Sequence, residues 1–275
     1  MKFCPGDTWC ERSILLAPPL AILIAPFQAV EADRFRHQRL LAEAQRLRAR
    51  VYLEDGAIEP NQVTRDGRFV HSIDRVSWHL LVLNSRRQVS GCLRYTPMDW
   101  VSFYHLEVAR SALAYSQEWA IPLRKAVEKK RAEAQRRGIM YAELGGWALS
   151  EEIRGTRDAL RMALTVYALT QFLGGAVGTT TATKRHHSST ILKKLGGRAL
   201  TCDGVELPPY YDPQYKCEME ILSFDSHCPS PKFSASIEDY RQDLRNLSVI
   251  CAEAYPDSNS PMTSGNARDL SPVLS

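Results

Sequence analysis

The residues best spaced for chemistry fall between Ala142 and Gly197. A strand-like run, Met140 to Leu149, carries Glu143 near its start and Gly145-Gly146 at its middle. Paired glycines inside a strand predict a bulge or a close approach of backbone. Arg154-Gly155-Thr156 then precede the most apolar helical stretch, Asp158 to Leu173. That order sets unpaired backbone N–H groups and the positive end of a helix dipole beside an arginine, an arrangement suited to phosphate. The same residues also make an ordinary strand–loop–helix connection, and both readings stand.

A second group follows the next strand-like run, Ala176 to Thr183. His186, Ser188 and Ser189 open a short helix that ends at Gly196-Gly197. Serine at such a start caps the helix. Adjacent histidines diverge on a helix, so His186 and His187 make a poor metal pair. No G-x-S-x-G elbow occurs, which argues against a serine nucleophile. The seven cysteines are scattered without a C-x-x-C pair, as in a reduced protein without a cysteine-built zinc site. No metal or redox cofactor is implied.

The elements that must position these residues alternate along the chain. An amphipathic helix is predicted over Asp33 to Leu53, with Leu40, Leu41, Ala44, Leu47 and Val51 at helical spacing. Trp78 to Leu83 and Gln88 to Tyr95 read as a hairpin about Asn84-Ser85-Arg86-Arg87. Glu107 to Arg137 reads as helix broken at Pro122 and stopped by Gly138. Arg198 to Cys202 and Tyr215 to Phe224 read as strands around a Pro/Tyr loop. Ser236 opens a last helix, with Tyr240, Leu244, Leu247 and Ile250 on one face. The result is an α/β (α+β) chain with a mixed sheet and one large core.

Composition agrees: with 275 residues, 44% apolar and 24% charged, the chain is neither disordered nor a disulfide miniprotein. A net charge of +4 is too mild for a dedicated nucleic-acid binder, and no nucleic-acid partner is expected. Residues 1–32 read as a leader of uncertain role. Its apolar run, Ile14 to Phe27, is interrupted by Pro18, Pro19 and Pro26 and is shorter than the ~20 residues that span a bilayer. A signal peptide or anchor is the alternative reading. Residues 33–253 form the folded domain, and the Ser/Pro-rich 254–275 a disordered tail, so the domain has flexible termini.

Two stretches carry a family resemblance. Glu143 to Thr156 resembles the fourth strand and pyrophosphate loop of the GNAT acyltransferase superfamily, and Ala182 to Gly197 resembles its fifth strand and following helix. Glu152 and Arg157 replace the usual first and last loop residues, and Leu192 stands where many members have tyrosine. Arg48-Ala-Arg50-Val51-Tyr52 is similar to the R-x-x-V-F motif of acyl-homoserine-lactone synthases. Gly91-Cys92-Leu93-Arg94-Tyr95-Thr96-Pro97 is similar to their G-x-x-R-x-x-P, with Asp74 where that family has acidic residues. Those synthases lack the full coenzyme A loop, and the chain looks nearest to them and to the related N-acyl amino acid synthases.

The resemblance implies a GNAT-like, splayed central sheet flanked by helices. It also implies an N-acyltransferase that moves an acyl group from an acyl-carrier-protein or acyl-CoA thioester to an amine such as an amino acid, with no tightly bound cofactor. The alternatives are an acetyl-CoA-dependent N-acetyltransferase and an inactive acyl-thioester-binding module. Arg154, Gly155 and Thr156 would hold the donor's phosphate, with His186, Ser188 and Ser189 near its phosphopantetheine. Glu143 would act as base or bind the substrate ammonium, unless it is only a salt-bridged strand end. A bulge at Gly145-Gly146 would free an N–H for the oxyanion. Arg48 and Arg94 would shape the substrate site, or else are surface or salt-bridging arginines. Trp147 reads as core or pocket wall, and Tyr211 as pocket wall or packed turn. Basic residues concentrate in Arg124 to Arg137 and in Lys184, Arg185, Lys193, Lys194 and Arg198. If these share a face they suit acidic acyl carrier protein; otherwise they are solvated helix faces. A cytoplasmic location is expected, with membrane contact only through the acyl product or the leader.

Overall fold

A computed structural model describes residues 9–19, 27–99, 101–185 and 187–252. Trp9–Arg12 form a short helix, α1, that runs into strand β1, Ser13–Leu16. This strand is interior: it pairs antiparallel with Trp78–Leu83 and parallel with Ser248–Cys251. Ile14 and Leu16 pack on one face of the sheet and Leu15 and Ala17 on the other, so a continuous apolar run is what the position demands. The boundary expected at residue 32 is therefore corrected, since these residues belong to the core. Residues 1–8, 20–26 and the expected tail lie outside the described residues.

Strand β2, Val30–Ala32, leads to helix α2, Arg34–Glu54, whose N-cap Asp33 accepts the Arg36 N–H at 2.9 Å. Leu40, Ala44, Leu47 and Val51 form its buried stripe, as their spacing predicts. The hairpin follows as β3, Trp78–Leu83, and β4, Val89–Pro97. Its turn is held by Asn84, whose Oδ1 accepts the N–H groups of Arg86 and Gln88.

The helix expected from Glu107 is not continuous. Three 3₁₀ turns, Phe103–His105, Glu107–Arg110 and Ala112–Tyr115, precede α3, Ala120–Arg137. Extended backbone at Leu106, Ser111 and Ser116 separates the turns. Pro122 sits in the first turn of α3, where its missing N–H costs nothing, so it permits the helix rather than breaking it. Gly138 ends α3 at φ +64°, as expected.

Strand β5, Met140–Leu149, helix α4, Arg157–Phe172, strand β6, Ala176–Thr183, and helix α5, Ser188–Leu195, follow in the predicted order. Short strands β7 (Arg198–Ala199), β8 (Thr201–Cys202), β9 (Val205–Glu206) and β10 (Tyr210–Asp212) lead to β11, Cys217–Asp225. The last helix, α6, spans only Ser234–Asp243. Ile250 lies instead on β12, Ser248–Cys251, between β1 and β2. A short apolar run such as Val249-Ile250-Cys251 suits a buried strand as well as a helix, and the sheet edge decides.

The main sheet runs β10-β11-β6-β5-β4-β3-β1-β12-β2, with β7 also paired to β11. Helix α4 with α6 covers one face, and α2 with α3 the other. Parallel strands β5 and β6 pair only from Met140/Ala176 to Glu143/Thr179. Beyond that point β5 bonds only to β4 and β6 only to β11, so the two strands splay apart. Gly178 permits the close pairing below the gap, because a Cβ there would stand 1.8 Å from the Ala142 carbonyl oxygen.

Candidate active site

On the α2/α3 face, three elements converge on one buried carboxylate. Asp74, in a 3₁₀ turn before β3, accepts Arg48 Nη1 at 2.9 Å and Nη2 at 2.5 Å, and Arg94 Nη1 at 2.9 Å. Gln45 from α2 and the His71 backbone N–H complete its shell. Burial alone would raise the Asp74 pKa, but the Arg48 charge and hydrogen bonds outweigh it and hold the carboxyl well below the usual range. Arg48 is pushed upward in return, its pairing with Asp74 exceeding the cost of burial. Two guanidiniums around one carboxylate leave this part of the site with a positive surplus. Arg48 and Arg94 thus meet in the core, not at the surface, and each keeps a buried Nε–H without a partner.

The glycine pair explains how Arg48 fits. Between the pairs Cys92↔Ala148 and Arg94↔Gly145, Leu93 faces both Gly146 and Trp147, which makes the expected bulge. Gly146 adopts φ +63°, and a Cβ there would lie 3.3 Å from Arg48 Nη1. Glycine is suited to both demands.

Glu143 stands where β5 and β6 part. It is 3% exposed, and its two oxygens accept the N–H groups of Glu107 (2.9 Å) and Val108 (3.3 Å). Burial pushes its carboxyl up to about 7, against the lowering effect of those bonds. Through them it fixes the 3₁₀ turn Glu107–Arg110. That turn forms one wall of a cavity of about 360 Å³ that also reaches His71, Thr181 of β6 and Tyr210. Glu143 itself is not among the residues lining this cavity.

The remaining expected residues are dispersed. Thr156 caps α4: its Oγ1 accepts the Asp158 N–H and donates to the Ile153 carbonyl. Gly155 is left-handed at φ +75°, with open space around it, and Arg154 is half-exposed, 3.9 Å from Asp55. Neither serine caps α5, whose N-cap is His187; Ser189 donates to Glu220 at 2.6 Å and Ser188 accepts from Thr183. His186 lies outside the described residues. Trp147 packs against the core with its Nε1–H buried and unpartnered. Strand alternation on β10 turns Tyr211 outward, 60% exposed, and Tyr210 inward to the cavity, a correction of one position. His71, Glu107 and Tyr215 escaped the sequence reading, since each gains meaning only from residues distant in the chain.

The two basic segments do not share a face. Helix α3 packs on the α2 side of the sheet, whereas the buried residues of α5 join the α4 side. Several of their charges have local partners: Lys125 with Asp203, Arg137 with Asp225, Lys184 with Glu218 and Lys193 with Glu220. Among the described residues, no helix is long and apolar enough to cross a membrane.

No family model matches this chain, and no curated protein matches it. Solved structures do. A CoA-dependent acyl-homoserine lactone synthase, BjaI, solved with SAM and isopentyl-CoA, aligns at TM-score 0.55 and 13% identity over 90% of this chain and 95% of its own. A second CoA-dependent acyl-homoserine lactone synthase, MesI, aligns at 0.51 and 14% over 88% of this chain and 100% of its own. The fold is therefore GNAT-like, a splayed mixed sheet flanked by helices that these two synthases share.

Proposed function

We propose that this protein is an N-acyltransferase that moves an acyl group from a thioester to the amine of an amino acid. The observation that carries the reading is the opening of β5 and β6 immediately beyond Glu143 and Thr179. Beside that opening lies the buried Arg48–Asp74–Arg94 cluster. Unpaired strand edges along a narrow gap suit an extended pantetheine arm, which offers amide groups of its own. The bulge at Gly146 supplies a strand N–H for the thioester oxyanion. Arg154, Gly155 and Thr156 hold the donor phosphates at the start of α4, and Ser188 and Ser189 flank the arm. Arg48 and Arg94 shape the site from below through Asp74, with Trp147 behind the bulge.

The donor is an acyl-CoA or an acyl carrier protein. The likeness to two CoA-dependent synthases favours CoA. Because α3 and α5 face opposite ways, a carrier protein would dock on one basic helix, not on both. Glu143 works as a positioning residue that holds the Glu107 turn. The test is mass spectrometry of organic extracts from cells expressing the wild type or Glu143→Gln. N-acyl amino acids produced by the wild type and reduced in the variant support the reading. Extracts without them, from a folded wild-type protein, overturn it in favour of acetyl-CoA chemistry or a thioester-binding module.

A further inference from the structure

The cavity beside Glu107 contains a second set of groups that the donor site does not use. His71 Nδ1 lies 3.4 Å from Glu107 Oε1, and Arg110 Nη1 lies 3.8 Å from the same oxygen. That oxygen is buried and has no hydrogen bond. Phe69 packs edge-on against the His71 ring at 5.4 Å between centroids, and the His71 backbone N–H bonds to Asp74. The imidazole is thus oriented by a ring on one side and a carboxylate on another. Asp212 and Tyr210 close the far wall, and Thr181 places the cavity against β6, on the stretch that has left β5.

We propose that this cavity receives the amine-bearing acceptor and that His71, backed by Glu107, takes the proton released by the attacking amine. The inference rests on the N-acyltransferase reading and names the acceptor side of that site. A proton on Nδ1, which lies 3.4 Å from Glu107 Oε1, leaves Nε2 to carry the lone pair, the arrangement that makes a histidine a general base. Burial lowers the His71 pKa, as do the Arg94 and Arg48 charges, while Glu107 and Asp74 raise it; burial wins, so the imidazole is neutral at pH 7. The ammonium of the acceptor gives one proton to Nε2. The freed lone pair forms the C–N bond at the thioester carbonyl, and the C–S bond breaks with its electron pair on sulfur. The amine's second proton leaves as the tetrahedral intermediate collapses, and the thiolate is protonated. No oxidant or further reactant is needed.

The charges also define the acceptor. Arg110 supplies a cation for a carboxylate, while Glu107 and Asp212 supply acceptors for an ammonium. A free α-amino acid carries both groups, whereas a simple amine would leave Arg110 unused.

The experiment uses the full-length protein, an octanoyl-CoA donor and the proteinogenic amino acids as acceptors. Product is followed by mass spectrometry for wild type, His71→Ala, His71→Gln and Arg110→Gln, with thermal melts of each. His71→Ala and His71→Gln are expected to fold as the wild type and lose about 100-fold or more in kcat. Added imidazole is expected to restore part of the His71→Ala activity, which a purely structural role would not allow. Arg110→Gln is expected to raise the acceptor KM about tenfold with kcat little changed. A folded His71→Gln that acylates within threefold of wild type overturns the proposal and leaves the N-acyltransferase reading standing. Wild type that acylates no amino acid, from this donor or from octanoyl-carrier protein, overturns that reading and this proposal with it.

Discussion

Glu143 accepts the backbone N–H of Glu107 at 2.9 Å, so a buried acid on β5 holds the turn that presents a second acid to a cavity. Burial of the first is what makes the second well placed. The arrangement also ties stability to pH.

The Glu143 carboxyl is raised from about 4.5 to about 7 in the folded protein. The native state therefore binds its proton more tightly than the unfolded chain, and this group favours folding most below pH 4.5. Its contribution is lost as pH rises through 7. At about 1.4 kcal/mol for each pKa unit, the change across that window is on the order of 3 kcal/mol. Urea unfolding at pH 5, 6, 7 and 8 is expected to show a steeper fall in stability for the wild type than for Glu143→Gln. Parallel curves for the two would remove Glu143 as the source.

Asp74 should behave in the opposite way. Its carboxyl is held far below the usual range, so its stabilising effect is fully present above about pH 4 and is lost only in stronger acid. Asp74→Asn leaves the two guanidiniums of Arg48 and Arg94 buried without their counter-charge. Breaking such a pair costs about 3–5 kcal/mol. The expected result is a large drop in the denaturation midpoint relative to the wild type at pH 7, the difference between the two proteins changing little between pH 5 and 8. A variant as stable as the wild type would mean that water reaches the cluster.

Much of this was legible in the sequence, and the part that was not has a common cause. The α2 stripe, the hairpin, β5 with its glycine pair and the α4–β6–α5 order follow local periodicity and turn chemistry, which sequence carries directly. Arg48 and Arg94 stood out by motif, yet their shared partner Asp74 lies 26 and 20 residues away, and only the fold joins them. The same holds for His71 and Glu107. The four residues of β12 have no period of their own to separate strand from helix, and the apolar run of β1, with prolines after it, resembles a leader. Sequence does not separate Tyr210 from Tyr211, because alternation fixes a face only once the strand's register is known.

Gly178 offers a test of the splay itself. A methyl group there would lie 1.8 Å from the Ala142 carbonyl oxygen, between the strands at the last pairs before they part. Gly178→Ala must push β5 from β6, and overpacking of this kind costs roughly 1–3 kcal/mol or more. Thermal melts are expected to fall accordingly, and acyl-CoA binding by calorimetry to weaken with them. Unchanged binding in a destabilised variant would show that the donor does not depend on how the two strands separate.

A removable leader could be deleted without harm, but β1 is an interior strand whose neighbours are β3 on one side and β12 on the other. Deleting residues 1–17 would leave β12 and β2 without their attachment to the rest of the sheet. It would also open a slot lined by Leu40, Leu81, Trp78 and Val249, all buried in the intact protein. Losing Ile14, Leu15 and Leu16 alone removes about 1.5–3 kcal/mol for each side chain, comparable with the whole stability of many domains. Such a truncation is expected to be insoluble, or to bind a dye that reports exposed apolar surface, whereas deletion of residues 1–8 leaves β1 in place and should yield folded protein. A folded, cooperative 18–275 fragment would mean that β1 is dispensable and that β3 and β12 close on each other without it.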